Sequence, residues 1–328
     1  MTKLSLIAFI VCLFLTYLSG KFTIPFLRKL KAGQPILSYV EIHKEKSGTP
    51  TMGGLFFILP SIIVYFIFNG FKNRISNVCI AVTISFLIVG FLDDFIKVKY
   101  KNNQGLKVYQ KIIFQTGIAV FTAIFTYKNN LTVIFVPFTK ITIDLGVWTI
   151  PFVAIVFVAI TNSVNLTDGL DGLASWTSLV YLIFIVILII LQSKLFGSLF
   201  SDSLEREKLI FLALCLISGI LGFLIFNSGK ASVFMGDTGS LALGGFIGAI
   251  SLFSGNGLYI PVLGVIFVFS TLSVIIQVIS FKKKGKRVFL MTPFHHHLQL
   301  KGKTETQISY FYSLITCIMG IISVIFYL

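Results

Sequence analysis

Apolar runs of about 20 residues recur along almost the whole chain, and that recurrence leaves few folds open. A helical run of this length crosses the hydrocarbon core of a bilayer, which is roughly 30 Å thick. Lipid offers no water to backbone amides, so such a segment must close its own hydrogen bonds as a helix. The pattern predicts ten spanning helices, near residues 4–20, 53–69, 78–96, 109–127, 147–163, 173–192, 208–226, 240–254, 258–280 and 307–327. The composition, 56% hydrophobic and 12% charged with a mean hydropathy of +0.95, points to the same class, an all-α polytopic membrane protein. No linker, low-complexity tract or short repeat divides it, so residues 1–328 read as a single membrane domain.

Basic residues near helix ends stay on the cytoplasmic side. With ten helices and both termini extracytoplasmic, 19 of the 27 Lys and Arg fall on the inner side and eight on the outer side. The first helix carries Lys3 but lacks a small-residue cleavage pattern, so it reads as retained and not as a removed signal peptide. Residues 131–147 alternate β-branched side chains around Pro137 and Lys140, and neither arm is long enough to span, which suggests a small extracytoplasmic β-hairpin.

A chain this apolar has few carboxylates to place, yet five of its 12 acids sit in three motifs at the edges of apolar segments. These are Phe91-Leu92-Asp93-Asp94, Asn165-Leu166-Thr167-Asp168-Gly169-Leu170-Asp171-Gly172 and Phe234-Met235-Gly236-Asp237-Thr238-Gly239-Ser240. A carboxylate at the centre of a spanning helix costs about 2.5–3.5 kcal/mol, so ionisable groups in or beside such helices mark a site or pathway. The orientation above puts all five on one side, together with His43, His295, His296 and His297, whereas the outer acids Asp144, Asp202, Glu205 and Glu207 form no pattern.

Each motif also has a plain structural reading. Asp93 and Asp94 lie near the C-terminus of their helix, where the macrodipole disfavours negative charge, so helix capping explains them poorly. Their mutual repulsion favours binding a proton or a cation, and Lys97, four residues on, can offset one charge if the helix continues. Asn165, Asp168 and Asp171 recur every three residues, so one helical turn would align them, although Asp171 or Thr167 capping the next helix is the simpler alternative. Asp237 lies among small residues just before an apolar helix, a place that suits either a cap or an approaching phosphate. A third carboxylate facing the other two loops would make a hard oxygen site, which Mg²⁺ fits best.

Two further clusters surround these acids, residues 43–54 and Pro293-Phe294-His295-His296-His297. Three consecutive histidines can donate to phosphates or ligate a metal, and beside an acid-rich set phosphate contact is the favoured reading. The run 281–287, with Lys282, Lys283, Lys284, Lys286 and Arg287, reads as an anchor to anionic lipid. The net charge of +15 therefore implies membrane lipid and no nucleic acid, because the basic residues flank spanning helices and no soluble domain exists. Cys12, Cys79, Cys215 and Cys317 lie in apolar segments without metal-ligand spacing and read as small buried hydrophobes.

Segments 46–54 (KSGTPTMGG), 90–98 (GFLDDFIKV), 162–174 (NSVNLTDGLDGLA), 233–245 (VFMGDTGSLALGG) and 287–302 (RVFLMTPFHHHLQLKG) together resemble the phospho-N-acetylmuramoyl-pentapeptide transferase family. The Asp-Asp and Asp-Gly-Leu-Asp elements alone are similar to the wider superfamily that joins polyprenyl phosphates to nucleotide-activated sugars. TPTMGG and the triple-His region carry the narrower likeness. Val40-Glu41 stands where members of the family tend to have Gly-Pro, and Gln299 where an acid is frequent.

The resemblance implies a bacterial cytoplasmic-membrane enzyme of peptidoglycan synthesis, working on the cytoplasmic side with Mg²⁺. It implies transfer of phospho-MurNAc-pentapeptide from UDP-MurNAc-pentapeptide to undecaprenyl phosphate, with release of UMP. By position Asp237 resembles the magnesium-binding aspartate, and Asp93 and Asp94 resemble the catalytic pair, with His295, His296 and His297 beside the reacting groups. Lys46, Thr51, Asn165, Asp168, Asp171 and Phe234 resemble the nucleoside pocket, and Lys97 and Lys111 residues near the phosphates. A homodimer is a further expectation. Direct attack by the lipid phosphate and a covalent aspartyl intermediate remain alternatives, as do a polyprenyl-phosphate N-acetylhexosamine-1-phosphate transferase and an ion-coupled transporter.

Overall fold

The computed structural model describes residues 3–29, 48–100, 105–196 and 203–328. Among them run twelve α-helices: α1 (Lys3–Lys29), α2 (Leu55–Asn69), α3 (Arg74–Tyr100), α4 (Val108–Lys128), α5 (Thr149–Thr167), α6 (Leu173–Phe196), α7 (Ser203–Asn227), α8 (Gly236–Phe253), α9 (Ile260–Leu263), α10 (Val265–Lys284), α11 (Phe294–Leu300) and α12 (Glu305–Ile325). Nine of these are long and apolar enough to cross a membrane. The protein is a polytopic all-α membrane protein.

The difference from ten equal spans has two local causes. Helix α2 has 15 residues, about 22 Å of helix, because Met52 at φ +70° breaks helical geometry and residues 53–54 form a turn before it. Gly53 and Gly54 donate to the carbonyls of Phe234 and Met235 (2.9 and 3.1 Å), and Phe234 donates to that of Pro50 (2.8 Å). The segment expected as one helix over 258–280 is broken instead. A 3₁₀ turn (Gly257–Tyr259) leads into α9, and Gly264 separates α9 from α10. The expected hairpin is present: β1 (Val133–Phe135) pairs antiparallel with β2 (Thr142–Asp144), Val133 opposite Asp144.

Helix α8 is the axis of the bundle, buried at every position from Thr238 to Phe253. It packs chiefly on α3 and α5, while α4 lies on α5, α12 on α6, and α1 and α2 on α7. Its small residues set how close those neighbours come. A methyl group at Gly244 would meet the backbone of Thr161 in α5, and one at Gly245 the ring of Phe86 in α3. The closest approach is at Gly90 of α3, where an added Cβ would run into the carbonyl of Asp237. That contact brings the C-terminal part of α3 against the first turn of α8, and with it the acids of both.

Two reciprocal amide pairs pin helices inside the apolar interior. Gln192 and Asn256 exchange hydrogen bonds of 2.8 and 2.9 Å at the end of the bundle that carries the hairpin, where Phe135 also donates to Gly255. Gln115 of α4 and Asn162 of α5 exchange 2.7 and 3.4 Å bonds nearer the other end.

Candidate active site

Three carboxylates meet at the end of the bundle opposite the hairpin. Asp93 and Asp94 lie in the last two turns of α3, which continues as helix to Tyr100, and Asp237 lies in the first turn of α8. One oxygen from each comes within 4.8 Å of the others, so the cluster can hold a metal ion. Two lysines from different helices stand among them. Lys97 Nζ is 2.6 Å from Asp93 Oδ2, 3.2 Å from Asp237 Oδ2 and 3.9 Å from Asp94 Oδ1. Lys111 Nζ, from the first turn of α4, is 2.6 Å from Asp237 Oδ2 and 3.0 Å from Asp93 Oδ1. Three carboxylates against two ammonium groups leave one formal negative charge, which suits a cation and not a sealed structural ion-pair network.

The three acids are held differently. Asp94 is buried, and its Oδ2 accepts both the backbone N–H (2.9 Å) and the hydroxyl (2.7 Å) of Thr238. A carboxylate borrowed from α3 thereby satisfies donors at the N-terminus of α8, where negative charge is favourable. Asp93 Oδ1 accepts the backbone N–H of Leu106 at 2.7 Å, tying the connection between α3 and α4 onto the cluster. Asp237 does not occupy the N-cap of its own helix: that position is Met235, whose side chain makes no capping bond. Its Oδ1 instead accepts from Asn165 Nδ2 at 2.9 Å, and the same amide reaches Ser240 Oγ at 2.8 Å.

Asn165, Asp168 and Asp171 do not share one helical face. Helix α5 ends at Thr167, Asp168 leaves helical geometry (φ −78°, ψ 51°), and Gly172 turns the chain at φ +72°. Only Asn165 reaches the triad through a hydrogen bond. The Asp171 carboxylate is buried and accepts the backbone N–H of Ala231 (2.9 Å), while its own N–H donates to Glu305 Oε2 (2.8 Å). It ties the loop before α6 to the loop before α8 and to the start of α12. Asn227 does similar work, taking donors from Gly172 (3.2 Å) and Ser175 (3.0 Å) and donating to the carbonyl of Val233 (3.0 Å). Glu305, Asn227, Ala231 and the N–H of Leu106 escape sequence reasoning, because nothing in a lone polar residue names its partner loop.

Asp168 lies beside the cluster without an ion pair to it. Lost hydration, and then the charges of Asp237, Asp94 and Asp171, hold its carboxyl well above the usual carboxylate range. The folded protein thus keeps this proton more tightly than the unfolded chain does, so the folded state loses stability as pH rises through the raised value. Asp168→Asn is expected to raise the thermal unfolding temperature of the ligand-free protein in detergent, more at about pH 8 than at about pH 5. An equal shift at both pH values would refute this.

Thr51 is buried, and its hydroxyl crowds Gly236 together with Asp94 Oδ2, so the 50–54 segment borders the triad. Phe234 is half-buried on the strand-like partner of that segment. The histidines lie on the short helix α11. His295 is fully buried, and its ring fills the space that Gly169 leaves open, since a Cβ there would strike the imidazole. His296 Nδ1 pairs with Gln299 Oε1 at 2.8 Å. His297 Nδ1 accepts the N–H of Leu290 at 3.1 Å, and partial burial with nearby Lys301 pushes its pKa down. His295 therefore borders the Asp168–Gly172 loop, while His297 packs on Phe289 and Phe294. Lys46, His43 and the pair Val40-Glu41 lie outside the described residues.

Residues 76–255 match the family described as Glycosyl transferase family 4, and residues 46–58 match Phospho-N-acetylmuramoyl-pentapeptide-transferase signature 1. The chain is 41% identical over 326 residues to the phospho-N-acetylmuramoyl-pentapeptide-transferase of Clostridium novyi, covering 98% of this chain and 95% of that one. It is 39% identical to that of Caldanaerobacter subterraneus, over 93% of each chain. It is 40% identical to that of Clostridioides difficile, over 99% of this chain and 97% of that one.

Proposed function

From the premise that this chain belongs to the phospho-N-acetylmuramoyl-pentapeptide-transferase family, we propose that it transfers phospho-MurNAc-pentapeptide from UDP-MurNAc-pentapeptide to undecaprenyl phosphate. UMP is released, and the first lipid-linked intermediate of peptidoglycan forms. The observation that carries this reading is the meeting of Asp93, Asp94 and Asp237 with Lys97 and Lys111 at one end of a membrane bundle. In this reading that end faces the cytoplasm, where most of the basic residues collect.

Both reactants are anions, so the transfer is a matter of positioning and charge. An oxygen of the lipid phosphate attacks the sugar-linked phosphorus, the bond from that phosphorus to the bridging oxygen breaks, and UMP leaves with that oxygen. Three carboxylates with convergent oxygens are the hard donor set that Mg²⁺ prefers, and Asp237, with Asp93 beside it, would hold it. Bound there, Mg²⁺ would screen the two phosphates and stabilise charge on the departing UMP. Lys97 and Lys111, set between the acids, would offer their ammonium groups to the phosphates. Asp94 is committed to Thr238 and holds α8 in place, so Asp93 is the better-placed member of the pair to orient the acceptor phosphate or take a residual proton. A phosphate monoester is largely dianionic at neutral pH, so no strong base is required. Asn165 orients Asp237, and Thr51, Phe234, Asp168 and the histidine helix line the approach proposed for the nucleotide-sugar.

The test is UMP release by purified protein given UDP-MurNAc-pentapeptide and Mg²⁺, with and without undecaprenyl phosphate. Release only with both is expected. Release on omitting the acceptor, with a labelled sugar phosphate trapped on the protein, would replace direct transfer by a covalent intermediate. Turnover only with a UDP-N-acetylhexosamine would overturn the proposed donor, and Mg²⁺-independent solute movement in sealed vesicles would favour a transporter.

A further inference from the structure

The Gln115–Asn162 pair lies one helical turn deeper in the bundle than the triad and joins the two helices that supply its outer donors. Gln115 stands four residues after Lys111 on α4, and Asn162 three residues before Asn165 on α5, so each shares a face with a site residue. Lys111 holds Asp237 Oδ2, and Asn165 holds Asp237 Oδ1. Asp237 is therefore gripped from α4 on one oxygen and from α5 on the other. The register between those helices decides whether both grips close.

Gln115 is fully buried, and its amide exchanges hydrogen bonds with that of Asn162, whose Nδ2 also reaches the carbonyl of Val158 at 2.7 Å. Amides in an apolar interior are costly unless paired, so the pair has one low-energy register. Sliding α4 along α5 by a turn would break it. We propose that Gln115 and Asn162 are positioning residues of the active site, a register lock that aligns Lys111 and Asn165 on Asp237 and so sets the affinity of the carboxylate cluster for its divalent cation. This rests on the metal-dependent reading above. It differs from a general packing role, for which the Gln192–Asn256 pair at the opposite end serves as the comparison.

The experiment measures Mn²⁺ binding by electron paramagnetic resonance on the full chain in detergent, without substrates, alongside the Mg²⁺ dependence of UMP release. Gln115→Met and Asn162→Leu keep side-chain size and remove the amide exchange. Each is expected to weaken Mn²⁺ binding by about tenfold and to raise the Mg²⁺ needed for half-maximal turnover in parallel, as loss of an outer supporting partner does. The double variant should be no worse than either single one, because the pair acts as a unit. Exchanging the residues, Gln115→Asn with Asn162→Gln, should restore binding. Gln192→Met should lower thermal stability and leave Mn²⁺ affinity unchanged. If the α4–α5 variants lose only thermal stability and bind Mn²⁺ as the unaltered protein does, the register lock is refuted. If the unaltered protein itself binds no Mn²⁺, the metal-dependent reading fails first.

Discussion

Asp237→Asn is expected to lower UMP release by about 10³-fold, with the lipid acceptor's KM much less affected. A bound metal contributes several kcal/mol of charge stabilisation, and about 1.4 kcal/mol corresponds to a tenfold rate change, so loss of the ion alone accounts for that size. The geometry adds to it. Asn keeps the volume of Asp and can still accept from Asn165 through its carbonyl oxygen, but its amide nitrogen then faces Lys97 and Lys111, which approach Oδ2 to 3.2 and 2.6 Å. Donors would confront donors, and both lysines would swing toward Asp93 alone. Steady-state assays over a range of Mg²⁺ would check this, and full turnover restored by more Mg²⁺ would show that the residue tunes affinity without being essential. Turnover unchanged at every Mg²⁺ concentration would remove Asp237 from the site.

Gly90→Ala is the second large expected effect, although the residue touches no substrate in the proposed mechanism. Its Cβ would be driven into the carbonyl of Asp237 and the Cα of Thr238, which are backbone atoms and cannot rotate aside. Overpacking of this kind costs about 1–3 kcal/mol. The strain is relieved only by moving the start of α8 away from α3, which parts Asp237 from Asp93 and loosens the two hydrogen bonds from Thr238 to Asp94. A shift of about 1 Å is enough for a rate loss on the order of 10²-fold. The expected outcome is folded protein with a lowered unfolding temperature and little turnover. Ala at 90 with full activity would mean that the two helices have slack the packing does not show.

The spanning helices, the hairpin and the convergence of three acidic motifs at one end were legible because each rests on a local rule. Twenty apolar residues make a helix, alternation around a proline makes a hairpin, and carboxylates rarely stay in lipid without a task. The pairing of Lys97 with Asp93 followed from four-residue spacing, once α3 was found to continue past both. What was hidden depends on orientation about helix axes. A glutamine at 115 in an apolar run reveals nothing of the neighbour it faces, so its partner at 162 could not be named. The three-residue rhythm of Asn165, Asp168 and Asp171 looked helical, but Gly169 and Gly172 end the helix and free Asp171 to bind the loop before α8. The break at Gly264 was masked by apolar residues on both sides.

The complete enclosure of α8 has a consequence for how the protein is made. It is the least apolar of the nine candidate spans among the described residues, and Gly, Ser and Ala take up much of its length. A segment so poor in bulky side chains has little to gain from acyl chains, so the translocon is expected to release it into the bilayer only where earlier-synthesised α3 and α5 already offer a docking cleft. Biogenesis would then order itself around the reaction centre, whose final carboxylate arrives with the one helix that cannot settle without its companions.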